Sequence, residues 1–333
     1  MKFKHIIGID ISKLTIDVCL LKEGVQAAHH AFDNDEAGFK AMSKWLTSQR
    51  VVLGKSLFGM EHTGCYGDPL REWLNRKGYA LALESGFEVS RASASIRGKT
   101  DRIDAMKIGR YFYLRQQEVE LDKPRQACLK RLKALHGYRR RLVKSKAAMQ
   151  ASQGELSVFQ PEEHAGALAE SSKRVLDTME EEIAAVEKLI RELIQEHAEL
   201  QRNYSLATSV VGVNMVTAVA LLLITENFTR IDSPKKLACY IGIAPFPKQS
   251  GSSIRGRPRV SHIGDQQTKG VLSMAANSAV AHDPQIRSFY QRKIEQGKPG
   301  NVALNAVMNK IVHRVCAVVK RGEPYTVLGK HAA

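Results

Sequence analysis

His5-Ile6-Ile7-Gly8-Ile9-Asp10 is a short apolar run that stops on a carboxylate. Asp is disfavoured in a central strand, and burying its charge without a partner costs on the order of several kcal/mol. If the run is a strand, Asp10 needs a cation or a set of hydrogen bonds where the strand ends, and a hard divalent cation is the simpler answer. The neighbouring sequence supports the strand. Residues 14–21 (LTIDVCLL) are rich in β-formers, Lys22-Glu23-Gly24 reads as a turn, and 25–32 continues as a third strand, which makes a three-strand meander. A helix is expected at about 35–49, with Phe39, Met42, Trp45 and Leu46 on one face. A strand at 56–61, a helix at about 67–77, a strand at 79–84 and a helix from about 101 follow.

The order β-β-β-α-β-α-β predicts an α/β N-terminal domain of the ribonuclease-H-like kind, a mixed sheet covered by helices. Glu61 ends the run SLFGME, the first strand after the meander, and that strand adjoins the first one in this arrangement. Asp101 and Asp104, in KTDRIDA, are three residues apart and so share one helical face. Singly, each acid has a structural explanation: Asp101 as an N-cap, Asp104 as a first-turn acid, Asp10 and Glu61 as hydrogen-bonded or solvated strand ends. Together, Asp10, Glu61, Asp101 and Asp104 are expected to hold Mg2+, with Mn2+ as a substitute. Two such ions about 3.5–4 Å apart would serve phosphoryl transfer.

Charge points to the same substrate. The chain has 333 residues, 50 Lys and Arg against 34 Asp and Glu, a net charge of +16 and a pI near 9.7. Enzymes of small metabolites rarely need that surplus. Residues 1–90 carry 11 basic and 11 acidic side chains, 91–150 carry 17 and 5, 151–244 carry 8 and 14, and 245–333 carry 14 and 4. Two basic blocks therefore flank an acidic one. Phosphate contacts are expected from Lys99, Arg102, the run Arg139-Arg140-Arg141, Lys248, Ser252, Ser253 and the extended segment Arg255-Gly256-Arg257-Pro258-Arg259. The first run also suits a solvated helix face. Aromatic content is only 6%, which weakens base stacking as a means of recognition and favours delegating sequence choice to pairing with an RNA.

Five cysteines lie far apart with no CxxC pair, so neither a zinc site nor a disulfide framework is indicated. The sequence starts on a strand with no secretory h-region, so a cytoplasmic protein is expected. Leu206–Thr225 is apolar, but Gly212 and Asn214 interrupt it. It reads as a hairpin of two buried helices rather than a membrane span. Upstream, Leu176, Met179, Ile183, Val186, Ile190, Leu193, His197 and Leu200 alternate steps of three and four, the pattern of a coiled-coil seam, with Glu180-Glu181-Glu182 and Glu187 expected on its outer face. The seam suits dimerisation or an intrachain hairpin with a basic helix at about 126–150. Three segments result: a catalytic domain at 1–122, a basic helix and central coiled coil at 123–203, and a mainly α-helical C-terminal domain at 204–333.

Four motifs resemble those of the DEDD transposases of insertion sequences, relatives of the Piv-type DNA invertases, some of which are guided by a noncoding bridge RNA. They are Ile7-Gly8-Ile9-Asp10-Ile11-Ser12-Lys13, Glu61-His62-Thr63-Gly64-Cys65-Tyr66, Lys99-Thr100-Asp101-Arg102-Ile103-Asp104-Ala105 and Ser250-Gly251-Ser252-Ser253-Ile254-Arg255-Gly256, in family order. The resemblance implies a RuvC-like N-terminal domain with metal ligands at Asp10, Glu61, Asp101 and Asp104. It also implies a C-terminal transposase domain with a serine nucleophile at Ser250, acting on donor and target DNA. A homodimer or homotetramer would build its site from two protomers. On the residues alone, a Ser-Gly-Ser-Ser loop that only contacts phosphate is the preferred reading, and Ser252 and Ser253 rival Ser250 as nucleophile. Val210-Val211-Gly212-Val213-Asn214 resembles the turn of a helix-hairpin-helix, with Val211 where relatives carry Pro and Asn214, which tolerates the left-handed conformation, where they carry a second Gly. Two other functions share the acids or the charge: a RuvC-like nuclease that uses water, and a non-catalytic nucleic-acid scaffold.

Overall fold

A computed structural model describes residues 3–62, 64–93, 100–123, 126–159, 162–250, 254–261 and 263–326, without the side chains of 155–159, 162–165, 167, 247–250 and 254–258. The chain divides into two compact units, 1–124 and 125–333.

The first unit opens with β1 (His5–Ile11), β2 (Thr15–Lys22) and β3 (Val25–Asp33), an antiparallel meander. Glu23 and Gly24 both have positive φ, as a two-residue hairpin turn that follows the strand twist requires. Next come α1 (Glu36–Ser48), β4 (Ser56–Glu61), α2 (Asp68–Arg76), β5 (Ala80–Glu84), α3 (Gly86–Ala92) and α4 (Asp101–Arg115). The sheet order is β3-β2-β1-β4-β5, with β4 parallel to β1 and β5 parallel to β4. Strand alternation sorts the core. Ile7, Ile9, Phe58 and Met60 pack with Phe39, Met42 and Leu46 of α1 and with Leu70, Trp73 and Leu74 of α2. Ile6, Cys19, Leu21, Leu57 and Ala82 face the opposite layer, against Val89 of α3 and Ala105, Ile108, Tyr111 and Phe112 of α4. α3 is the one element here that the sequence pattern does not announce. Ser85 starts it, accepting from the Glu88 amide.

The second unit is mainly helical. α5 (Ala127–Phe159) and α6 (Glu162–Gln195) pack on each other as an intrachain pair. Val186, Ile190 and Leu193 are buried against Leu129 and Leu132. Arg139 pairs with Glu187 at 2.7 Å and Lys146 with Glu180 at 2.8 Å, so a step of seven residues on α5 is matched by seven on α6. Glu187 thus turns toward the basic helix, whereas Glu180, although paired with Lys146, stays exposed with Glu181 and Glu182 on the outer face. The seam does not run through His197: that residue is extended (φ −123°, ψ 102°), exposed, and is the N-cap position of α7 (Ala198–Thr208), so Leu200 belongs to a new helix.

The stretch 206–225, expected to hold two buried helices, contains the end of α7, a turn and α8 (Met215–Thr225), with Leu206, Ala207, Ala218, Val219, Leu221 and Leu222 in the core. In the turn between them Gly212 takes the positive φ (91°), and a Cβ there would overlap the Ala275 carbonyl oxygen. Asn214 is extended and caps α8, its Oδ1 accepting from the Thr217 amide at 3.0 Å. The left-handed conformation thus falls on Gly212, and Asn214 serves as an N-cap. α9 (Pro234–Ile241), β6 (Pro245–Ser250), β7 (Ile254–Val260), α10 (Gln266–His282), α11 (Pro284–Glu295) and α12 (Gly300–Arg321) complete the chain. α12 is long and apolar enough to cross a membrane, yet Ala303, Val307, Ile311, Val312 and Val315 lie in the core of this unit.

Candidate functional site

Residues of even register on β1 point to the α4 side of the sheet, and so do the odd positions of β2 and β4 and the even ones of β5. By that alternation Asp10, Asp17, Glu61 and Glu84 all fall on one face, near the ends of their strands or, for Asp17, opposite Asp10 in the ladder. α4 is pressed against the same face. A Cβ on Gly8 would overlap the Ala105 carbonyl oxygen and the Gly109 nitrogen, and a Cβ on Gly59 would overlap the Phe112 ring. Bare α-carbons at Gly8 and Gly109 let helix and strand meet main chain to main chain. Thr100 caps the helix, its Oγ1 accepting from the Ile103 amide, and Asp101 and Asp104 fill the first turn.

The electrostatics follow from this crowding. Asp10 Oδ1 accepts from its neighbour's amide, Ile11 N, at 3.0 Å. Burial nonetheless pushes its carboxyl up to about 6, reinforced by the negative charges of Asp104, Asp101 and Asp17. Burial also raises Glu61, with Asp10 and Asp104 adding to the effect and Lys107 opposing it. Asp10, Glu61 and Asp104 therefore feel one another, and Asp101 acts on Asp10. Lys107 Nζ donates to Asp104 Oδ1 at 2.9 Å and is the nearby counter-charge. On the flanks, Asp17 meets His29 Nε2 at 2.8 Å, and Glu84 accepts from the Tyr111 hydroxyl at 2.9 Å and from the Ser85 amide.

Every donor in the cluster is a hard carboxylate oxygen, the ligand type of magnesium and manganese, and the half-buried Asp10 charge is only partly compensated. Among the described residues no three His, Cys, Asp or Glu side chains already converge as an ion would hold them. The donor set fits a divalent ion by chemistry and by unbalanced charge.

Sequence reasoning missed three neighbours. Asp17 sits in register with Cys19 and Leu21 in LTIDVCLL. Glu84 ends ALALE as Glu61 ends SLFGME, and Lys107 lies one turn after Asp104. Period-two alternation would have found the first two.

The remaining residues distribute between the units. Arg102 is exposed on α4. Arg139 is committed to Glu187, which splits its run, whereas Arg140 and Arg141 are exposed, the latter against Tyr138 at 5.6 Å. Ser250 is the last residue of β6 and pairs with Ile254 of β7, so its backbone sits at the tip of a two-stranded ribbon. Lys248 pairs with Gly256 and Gln249 with Arg255, and the backbone of Arg257 continues β7. The arginine segment is thus extended, as its Gly and Pro content suggests, and Arg259 is exposed. Lys99, Ser252 and Ser253 lie outside the described residues.

Two family models match the sequence. A DEDD transposase model of the IS110 type matches residues 7–153, and one described as "Transposase IS116/IS110/IS902 family" matches 204–291. The chain is 25% identical to the "Pilin gene-inverting protein" of Moraxella lacunata over 97% of this chain and 98% of that one, and equally similar to its counterpart in Moraxella bovis. It is 29% identical over 45% of its length to "Insertion element IS110 uncharacterized 43.6 kDa protein" of Streptomyces coelicolor, covering 36% of that protein. The two family models span both units and together cover more than two thirds of the sequence, and the chain belongs to the DEDD transposase and recombinase family of insertion sequences, enzymes that act on DNA.

Proposed function

We propose that this chain cuts and exchanges DNA strands for a mobile element, using a divalent-ion site at Asp10, Glu61, Asp101 and Asp104 and the Ser250 hydroxyl as nucleophile. The observation that carries the reading is Asp10. A carboxyl raised to about 6 by burial and by other acids is costly to keep ionised in a fold with no use for it. The strand order and the placement of acids on the α4 face support a ribonuclease-H-like, RuvC-like N-terminal unit. The chemistry supplied there by magnesium or manganese, as a pair in the full arrangement, is Lewis-acid polarisation of the scissile phosphate.

The chain's own residues do the rest. Asp10 and Glu61 are set by adjacent parallel strands, and the Gly8 contact fixes the α4 acids against them. In the covalent step the Ser250 Oγ–P bond forms as one bridging P–O bond of DNA breaks. The serine proton passes to solvent and the departing oxygen takes one up. The phosphoserine ester keeps the bond energy for rejoining, when a strand hydroxyl attacks phosphorus and releases Ser250. The oligomer, a homodimer or homotetramer, and a noncoding guide RNA for target choice belong to the same proposal.

A denaturing gel of end-labelled DNA incubated with the protein and magnesium tests it. Wild-type protein should leave protein attached to a DNA end, and Ser250→Ala and Asp10→Ala should not. Cleavage with free ends in both wild type and Ser250→Ala would instead indicate attack by water. Sequencing the RNA that co-purifies with the protein tests the guide: one defined species is expected.

A further inference from the structure

The segment from α11 through α12, residues 284–321, carries eight Lys and Arg against one acid, Glu295. Much of that charge gathers around one ring. Lys310 Nζ of α12 lies 4.1 Å from the Phe289 centroid, and Arg292 Cζ and Lys293 Nζ of α11 lie 5.7 Å from it. The α11 cations follow Phe289 by three and four residues, which places all three on one helical side. One turn beyond Lys310, Arg314 is neutralised by Asp283 at 2.7 Å and stacks on Tyr325. Asp283 is fully buried, so its charge is spent inside the protein. Lys293 donates to Gln296, an uncharged partner.

Three like charges around one ring repel each other, and a cation–π contact at a partly exposed ring offsets that repulsion only weakly. Lys310 is held below its usual range first by burial, then by the positive charges of Arg314, Arg292 and Lys293, with Asp283 opposing. A polyanion threaded past the ring relieves the repulsion. With Lys310 over Phe289, the ring serves to seat cations and not to stack a base, so the contact is to phosphate and independent of sequence.

We propose that Arg292, Lys293 and Lys310 form a platform for the sugar-phosphate backbone of the duplex DNA substrate, separate from the β6–β7 ribbon. α12 ties the two together. Asn305 Nδ2 donates to the Ile243 carbonyl at 2.8 Å, two residues before β6 begins. Asn305 and Lys310 are five residues apart, about 7.5 Å along the helix. Duplex gripped at the platform is thereby held at a set distance from the root of the Ser250 ribbon. The inference rests on the family's action on DNA and not on the metal-and-serine reading.

The test is fluorescence anisotropy of a labelled random-sequence DNA duplex with the full-length chain across a range of salt, in EDTA, so that divalent-ion binding plays no part. Each phosphate contact contributes about 0.9 to the slope of log affinity against log salt. The Arg292→Gln/Lys293→Gln/Lys310→Gln variant should flatten that slope by nearly 3 on the same scale of about 0.9 per contact, and Lys310→Arg should keep it. Arg292→Gln/Lys293→Gln, which leaves α12 intact, is measured in parallel and should flatten it by about 1.8. An unchanged duplex slope in both charge-removing variants overturns the proposal. A loss seen with RNA of the same length and absent with duplex DNA overturns it equally.

Discussion

Asp10→Asn should stabilise the N-terminal unit while abolishing strand exchange. Asn is the same size as Asp, and its Oδ1 can still accept from the Ile11 amide. What it removes is a charge that the fold resists. The Asp10 carboxyl moves from an ordinary 3.8 to about 6, and a shift of roughly two units at 1.36 kcal/mol each comes to about 3 kcal/mol as an upper figure. The sign is that of a raised acid. Below pH 3.8 the proton is bound in folded and unfolded chains alike and Asp10 adds no penalty. Between 3.8 and 6 the unfolded chain ionises first, and above 6 the full cost stands against folding. Both tryptophans, Trp45 and Trp73, lie in the first unit, so tryptophan fluorescence in a urea titration reads that unit alone. In EDTA at pH 7.5 the variant should be more stable by about 1–3 kcal/mol, and the gap should close at pH 3.5. Magnesium should stabilise wild type and leave the variant unmoved. A variant no more stable than wild type at pH 7.5 in EDTA would refute the claim that the Asp10 charge is only partly compensated.

Gly8→Ala should cost about 1–3 kcal/mol in the same titration. The new methyl would sit 2.6 Å from Gly109 Cα where ordinary contact begins near 3.4 Å, so α4 must lift. The displaced acids should lower recombination by about a hundredfold. Asp283→Ala removes the cap of α11 and the partner of Arg314 together and should cost about 3–5 kcal/mol. It should be read as loss of helical circular dichroism with tryptophan emission unchanged.

The sheet was legible because its strands are short, apolar and separated by unambiguous turns, and Glu23-Gly24 is the clearest of these. The positions of the acids were legible for a related reason: Asp10 and Glu61 each close a hydrophobic strand against local preference, and Asp101 and Asp104 open α4 as their spacing suggests. Long-range pairing was harder to read. Arg139 looks like part of a basic surface run until Glu187, 48 residues away, is seen to hold it. His197 keeps the seam's spacing while the backbone has already left the helix, since hydrophobic period is blind to φ. Asn214 was read for the conformation it tolerates, whereas its cap to Thr217 was the simpler local signal. The Lys310 platform joins two helices, and no window of sequence displays it.

The contact between Gly8 and Gly109 has a consequence for how such an enzyme can drift. The gap between helix and strand is set where Gly8 meets the α4 main chain, with Leu21 seated on Gly109 and the Phe112 ring on Gly59. A substitution elsewhere in the hydrophobic layer can be absorbed by repacking, whereas one at Gly8 meets backbone that cannot give way. A spacing set by the absence of a side chain is the least forgiving of a single added methyl.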